Sequence, residues 1–93
     1  EGKEAAMKPS DYIRKGWCQG MLARDGMGNR VRPLAPEAVA WSMLGAAEKA
    51  GVAPARMAAA AKKKLRGQNV LAWELASLRT QAEVIALLEE VGL

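Results

Sequence analysis

The chain has no histidine and no phenylalanine, and it has one cysteine and one tyrosine among 93 residues. Without histidine it lacks the Ser-His-Asp and Cys-His catalytic arrangements and almost every type of zinc site. A lone cysteine, Cys18, cannot form an internal disulfide, which excludes a disulfide-stapled secreted scaffold. The longest uncharged run near the middle, Ala38 to Ala47, has ten residues, about half of what a membrane span needs. These absences predict a protein without enzyme activity, cofactor, metal or membrane span.

Length and composition predict one small domain. Hydrophobic residues make up 51% of the chain, but 19 of them are alanine, so a domain of this size has a thin core. We expect residues 1–7 to be an extension, either disordered or vector-derived, and residues 8–93 to form a single helical domain. Glu1 to Ala6 is polar and contains no signal-peptide core. This predicts a cytoplasmic protein, in the host cell or associated with a virion if phage-encoded, and a thin core leaves a homodimer open.

The first half of the chain contains helix signals around a turn-rich segment. Ser10 is predicted to cap a short helix that ends near Gly16. The turn formers from Asp25 to Asn29 predict a small β-hairpin near residues 21–32. Pro36 suits the first position of a helix that runs to Gly51. Because that helix is apolar on all sides, residues 36–50 are predicted to form the central buried helix.

The second half predicts three more helices. Pro54 begins one with a narrow apolar face, and the leucines at positions 71, 75 and 78 share one face of a second over residues 68–78. Thr80 and Glu83 form a capping-box pattern before a third helix, in which Val84, Leu87, Leu88 and Val91 repeat at helical spacing. The fold class is therefore mainly α, with about five short helices around the central helix and a small hairpin. Because most large apolar residues are assigned to faces, few remain to line a ligand pocket.

Positive charge is concentrated in one predicted helix, whereas the last helix is acidic. The net charge is +4, and the basic helix spans residues 54–66. Lysines in a run bind phosphates in a salt-dependent manner without sequence preference. No aromatic side chains for base stacking are interleaved, and a solvated helix face explains the same pattern. The candidate nucleic-acid-binding residues are Arg56, Lys62, Lys63, Lys64 and Arg66.

Other motifs are incomplete. The Gly26-x-Gly28 pair lacks the third glycine of a phosphate-binding loop, and the calcium-loop pattern that starts at Asp25 fails at its third position, Met27. Cys18 is a candidate reactive thiol whose pKa Arg14 and Lys15 would lower, but a small buried hydrophobe is the simpler interpretation. No pair of carboxylates is placed for hydrolysis.

Several short motifs together resemble a known family. They are Gly16-Trp17-Cys18-Gln19-Gly20, Ala23-Arg24-Asp25, Pro36-Glu37-Ala38-Val39-x-Trp41, Gly45-Ala46, Trp73, and the closing stretch from Arg79 to Val84 with Leu87-Leu88. In this order they resemble a family of small proteins of bacteria and their phages that is known only as a domain of unknown function. Ser42 and Glu74-Leu75 stand where that family usually has a second cysteine and an Asn-Asp pair.

The resemblance implies a phage or mobile-element setting and no particular activity. We therefore expect a small non-enzymatic phage or prophage accessory protein that binds a host or phage protein. The alternative is a nucleic-acid-binding protein that uses the basic helix, and a thiol enzyme based on Cys18 is a third hypothesis.

Overall fold

The computed structural model describes residues 7–93, so the predicted extension lies outside the described residues except for Met7. Within that range the fold class predicted from the sequence is confirmed, with five helices and a two-stranded antiparallel sheet. Every helix in this range falls short of the length and apolarity that a bilayer crossing requires. In chain order the elements are α1 (Pro9–Lys15), β1 (Ala23–Arg24), β2 (Ala40–Trp41), α2 (Met43–Ala50), α3 (Pro54–Lys64), α4 (Val70–Glu74) and α5 (Gln81–Glu90).

The core lies where α1 crosses α2 and α5. Its largest fully buried side chains include Ile13, Met43, Met57 and Leu88. Gly45 lies in α2 directly against the backbone of residue 22, and a Cβ at this position would collide with the Leu22 carbonyl oxygen. The thin core is therefore compensated by close backbone contact, which only glycine permits here.

The first helix begins two residues earlier than predicted, at Pro9. Lys8 is the residue before the helix, and its backbone N–H donates to the Asp11 carboxylate at 2.9 Å. Ser10 is not the N-cap as predicted but is buried in the first turn, where its hydroxyl donates to the Leu93 carbonyl at 2.9 Å. The prediction was wrong because a distant chain segment uses the hydroxyl that would otherwise cap the helix.

The turn of the predicted hairpin is present, but its first strand also has a partner further along the chain. The Asp25 N–H donates to the Asn29 carbonyl at 2.9 Å. The backbones of Arg24 and Arg30 form an isolated antiparallel β-bridge. The regular sheet pairs β1 with β2, with Ala23 opposite Trp41. The segment 21–32 therefore supplies one strand and a turn to a sheet that residues 40–41 complete.

The central helix begins at Met43, not at Pro36 as predicted. Its predicted first turns are instead a turn followed by β2. The Trp41 N–H donates to the Gly16 carbonyl at 3.0 Å and its own carbonyl accepts from the Cys18 N–H at 3.2 Å. These bonds to the segment after α1 hold residues 40–41 extended, and Ser42 then caps α2 through the Gly45 N–H.

The helix predicted over residues 68–78 is shorter, covering only the five residues of α4. Its leucines are not core residues: Leu71, Leu75 and Leu78 are 46%, 52% and 88% exposed. The capping box of α5 is confirmed, since Thr80 Oγ1 accepts from the Glu83 N–H and the Glu83 carboxylate accepts from the Thr80 N–H. Helix α3 begins at Pro54 and buries Met57 and Ala61, as the periodicity predicts.

Candidate functional site

The candidate nucleic-acid-binding residues are all exposed along α3 and the turn that follows it. Lys62, Lys63 and Arg66 line one shallow hollow of about 510 Å³, whereas Arg56 and Lys64 lie outside it. The ion pairs within residues 7–93 use other basic residues, so these five cations form none there. The structure thus brings three of the five predicted residues together at one unneutralised surface, which we call the basic surface.

The basic surface also has a structural explanation. Lys62, Lys63 and Lys64 occupy the last turn of α3, where positive charge interacts favourably with the helix dipole. The helix dipole therefore accounts for part of their clustering. Charge alone does not assign a ligand to this surface.

Cys18 is buried in the segment between α1 and β1, with 8% of its surface exposed. Burial raises the pKa of the thiol above its ordinary value, and the nearby charge of Arg24 opposes this only in part. The expectation that Arg14 and Lys15 lower this pKa is wrong, because desolvation outweighs the positive charge that reaches the sulfur. A thiol held in its protonated form is a poor nucleophile.

The motif from Gly16 to Gly20 fastens α4 to the rest of the domain. The Trp17 indole N–H donates to Glu74 Oε2 at 2.7 Å. The Gln19 side-chain amide donates to the Glu74 backbone carbonyl, also at 2.7 Å. Gly16 allows the segment to lie against residues 39 and 40, since a Cβ there would collide with the Val39 carbonyl oxygen. The motif is therefore an anchor for one residue of α4, Glu74.

Glu74 is a buried carboxylate at the N-terminus of α2. It is 2% exposed, and its Oε2 accepts a second hydrogen bond from the Met43 N–H at 2.8 Å. Met43 is the first residue of α2, where a negative charge is stabilised by the helix dipole. Burial nevertheless raises the pKa of the Glu74 carboxyl, with the bonds from Trp17 and Met43 opposing the shift.

A cleft of about 300 Å³ lies beside Glu74. We call it the leucine cleft, and its lining residues are Gly20, Met21, Leu22, Arg30, Ser42, Leu44, Leu71, Glu74 and Leu75. Three of its leucines, at positions 22, 71 and 75, are between 43% and 52% exposed. The expectation that few large apolar residues remain for a pocket is therefore wrong.

One oxygen of Glu74 is available at the leucine cleft. Both side-chain hydrogen bonds of the carboxylate go to Oε2. Within the part of the chain that the structure describes, no fully buried side-chain oxygen or nitrogen lacks a hydrogen bond. Oε1 therefore keeps some exposure, and Glu74 is one of the residues that line the cleft. The site offers binding through apolar contact and one buried acceptor.

Sequence reasoning missed Glu74 as a functional residue. The signal that could have found it is its spacing: Val70 and Glu74 lie one helical turn apart, and both are buried. An acid on the buried face of a helix needs hydrogen-bond partners to offset its desolvation. Its partner Trp17 lies 57 residues away in the sequence, so the pairing itself has no local signature.

No group of three or more acidic or cysteine side chains is placed to hold a metal ion within residues 7–93. Glu74 has no second carboxylate among the residues that line its cleft. Among its lining residues the leucine cleft therefore presents a single carboxylate, without a paired acid and base.

Comparison with known protein families gives a match over most of the chain. The sequence model of one protein family, described as a family of unknown function (DUF6197), matches residues 9–92. No curated protein and no solved structure matches the chain.

Proposed function

This chain belongs to the DUF6197 family of unknown function, and from that premise we propose that it is a small non-enzymatic protein that binds another protein. The observation that carries the proposal is the leucine cleft. Its exposed leucines surround a buried polar floor formed by Glu74 and Ser42. Binding sites of this kind combine an apolar lining with a few placed polar groups.

Further exposed apolar side chains support the proposal. Met27, Leu34 and Val39 are 89%, 60% and 45% exposed. Leu22 and Arg30 also line a second hollow of about 360 Å³ beside the cleft. The cleft and this hollow share Leu22 and Arg30, and exposed apolar surface gathered in one place is typical of an interaction surface.

A pull-down with matched surface variants tests this function. The double variant Leu71→Ser with Leu75→Ser changes two cleft residues, and Leu78→Ser is the control because Leu78 is 88% exposed and lies outside the cleft lining. We expect a defined protein to be recovered with the wild type and the control but not with the cleft variant, provided that circular dichroism shows all three folded. Equal recovery by all three, or recovery of nucleic acid alone, would contradict the proposal.

The biological setting is part of the same proposal. The ordered motifs from Gly16 to Leu88 resemble proteins of bacteria and their phages, and we propose a phage or prophage accessory role in the cytoplasm, with a host or phage protein as partner. The neighbouring genes test the setting, and fractionation of the host cell tests the compartment. A homodimer is also proposed, and sedimentation over a range of concentrations measures it.

Nucleic-acid binding by the basic surface is the second candidate function. The observation that favours it is the convergence of Lys62, Lys63 and Arg66 on one hollow without acidic partners among the described residues. Phosphate contacts of this kind make affinity fall as salt concentration rises. The candidate therefore predicts salt-sensitive binding to duplex DNA.

Charge-matched variants test that candidate. Lys62→Glu with Lys63→Glu alters the basic surface, and Lys8→Glu with Lys15→Glu makes the same change in net charge at exposed positions elsewhere. We expect the first pair to abolish duplex binding and the second to weaken it only slightly. Affinity that ignores salt, or that falls equally in both pairs, would reject a specific role for the basic surface.

A further inference from the structure

The two oxygens of the Glu74 carboxylate have different surroundings. Oε2 accepts from Trp17 and Met43, and these bonds hold α4 against the start of α2. That structural role requires an oxygen acceptor at the position of Oε2, which either a carboxylate or an amide side chain supplies. It does not explain the second oxygen, which accepts no hydrogen bond from residues 7–93, is not fully buried, and belongs to a residue that lines the leucine cleft.

The charge of Glu74 has no cationic partner in the part of the chain that the structure describes. The ion pairs there join Arg14 to Asp11 and Glu89, and Arg79 to Glu83. Arg30 lines the same cleft but is exposed and forms no ion pair with Glu74. A buried carboxylate without a cation is costly, and a ligand cation placed on Oε1 would offset that cost.

The shape of the cleft restricts the ligand. A volume of about 300 Å³ is at the small end of ligand pockets, which suits one long side chain. The lining is apolar at Leu22, Leu44, Leu71 and Leu75, whereas the floor carries the acceptor. Lysine and arginine combine an apolar stem with a charged tip, so they complement both parts of the cleft.

We propose that the leucine cleft binds a lysine or arginine side chain of a partner protein, with its charged head on Glu74 Oε1 and its methylene stem against the cleft leucines. The proposal rests on the protein-binding function proposed above and deepens it by naming the recognised group. Leu71 and Leu75, which line the cleft, are also 46% and 52% exposed, so they offer apolar surface to the residues on either side of the bound side chain. The bound side chain is therefore expected to lie between apolar neighbours in the partner's sequence.

A nuclear magnetic resonance titration with blocked tripeptides tests the proposal. The probes are acetyl-Leu-Lys-Leu-amide, its norleucine analogue, which has the same stem without charge, its glutamate analogue, and n-butylammonium. We expect the lysine peptide to bind at least about tenfold more tightly than the norleucine peptide, the lower end of what a hydrogen bond to a charged group contributes. The shifted signals should include the Trp17 indole and the Met43 amide, which both contact Glu74.

Glu74→Gln separates recognition from structure. The glutamine oxygen can accept the two bonds that Oε2 accepts, whereas its amide nitrogen replaces Oε1 at the cleft and repels a cation. We expect this variant to keep the Trp17 indole signal in its folded position and to lose the preference for lysine over norleucine. A preference that persists in Glu74→Gln would overturn the proposal.

Arg30→Met tests the opposite charge assignment. Removing the guanidinium should leave binding of the lysine peptide unchanged or tighter, since a like charge at the cleft wall disappears. Four outcomes would overturn the proposal. Two concern charge: a preference for the glutamate peptide, and weaker binding of the lysine peptide in Arg30→Met. The other two concern the probes: n-butylammonium binding as tightly as the lysine peptide, and no binding by any probe. Equal binding of lysine and norleucine peptides at the cleft would overturn it while leaving the protein-binding function intact. Equal recovery of the partner by the wild type, the Leu71→Ser/Leu75→Ser cleft variant and the Leu78→Ser control would reject both.

Discussion

Helix α5 and the segment made of α4 and the turn after it both carry leucines, yet they are held in the domain by different interactions. In α5, Leu87 and Leu88 are buried together with Val84. In α4 and the turn after it, Leu71, Leu75 and Leu78 are exposed, and a buried acid takes the place that an apolar residue has in α5. The difference shows that α5 is positioned by its apolar face, whereas α4 is positioned largely by polar contacts.

Those polar contacts come from several directions. Asn69 caps α4 by accepting from the Leu71 and Ala72 N–H groups. Glu74 bonds to Trp17 and Met43, as described above, and the Arg79 side chain donates to the Trp73 carbonyl at 2.9 Å while lying 3.9 Å from the Trp73 ring. Because these contacts hold the segment, its leucines can stay exposed without loss of the helix position.

The largest expected difference in the free energy of unfolding is between variants of a leucine in α5 and of a leucine after α4. Leu88→Ala empties a fully buried site and should lower the free energy of unfolding by about 2–5 kcal/mol. Leu78→Ala changes an 88% exposed side chain and should alter it by less than about 0.5 kcal/mol. Urea unfolding measures both. Similar losses for the two variants would show that the segment after α4 is packed after all.

The acids of the two helices provide the next comparison. Glu74→Ala leaves the Trp17 indole N–H and the Met43 N–H without their acceptor and should cost about 1–3 kcal/mol of stability. Glu90→Ala, at an exposed position of α5, should change stability by less than about 0.5 kcal/mol. Glu74→Gln should lose less than Glu74→Ala, because its oxygen retains the acceptor. A Glu74→Ala protein as stable as wild type would remove the basis for polar anchoring of α4.

Removing the N-cap side chain of either helix is expected to have a smaller effect on stability. Thr80→Ala removes the acceptor for the Glu83 N–H in α5, and Asn69→Ala removes the acceptor for two N–H groups in α4. Each is expected to cost about 1 kcal/mol in thermal or urea unfolding. If Asn69→Ala has no effect whereas Thr80→Ala does, the cap is dispensable in the shorter helix.

The smallest expected effect is a dependence on pH. Burial raises the pKa of Glu74 above its ordinary value of 4.5, so the native state binds this proton more tightly than the unfolded chain does. The stability that this proton supplies is fully present below the ordinary pKa and is lost as pH rises through the raised pKa. Wild type should therefore lose stability relative to Glu74→Gln as the pH rises from 4.5 towards neutrality.

The same pH series contains its own control. Asp25 and Glu83 have lowered pKa values because backbone N–H groups donate to them, and they act in the opposite direction. Both residues are present in wild type and in Glu74→Gln, so their contributions cancel in the difference. A difference that stays constant, or grows with pH in favour of wild type, would contradict a raised pKa at Glu74.

The sequence predicts those features that depend on neighbours along the chain. The α5 capping box joins Thr80 to Glu83, and the apolar face of α3 repeats within one helix, so local spacing contains all the information needed. The start of α2 could not be predicted, because bonds from Gly16 and Cys18 hold residues 40–41 extended. The leucine cleft could not be predicted either, since it is empty space between segments that meet only in the folded chain.

The basic surface shows the limit of prediction for a site. Charge and periodicity correctly place its residues on the exposed side of α3. Which of them converge depends on the turn after the helix, where Arg66 adopts a left-handed φ of 58° and lines the hollow with Lys62 and Lys63. A positive φ at a non-glycine residue has no dependable sequence signal.

The contact between Ser10 and Leu93 brings the two ends of the described part of the chain together. The Ser10 N–H and hydroxyl both donate to the Leu93 carbonyl, at 3.2 and 2.9 Å, so the first turn of α1 lies beside Leu93. Domains whose ends meet in this way tolerate circular permutation. A permutant joined from Leu93 to the residues before Pro9, and opened in the exposed turn between Asp25 and Asn29, would present α5 to the ribosome before α1. This permutant would show whether α1 and α5 pack together equally well when α5 is synthesised first.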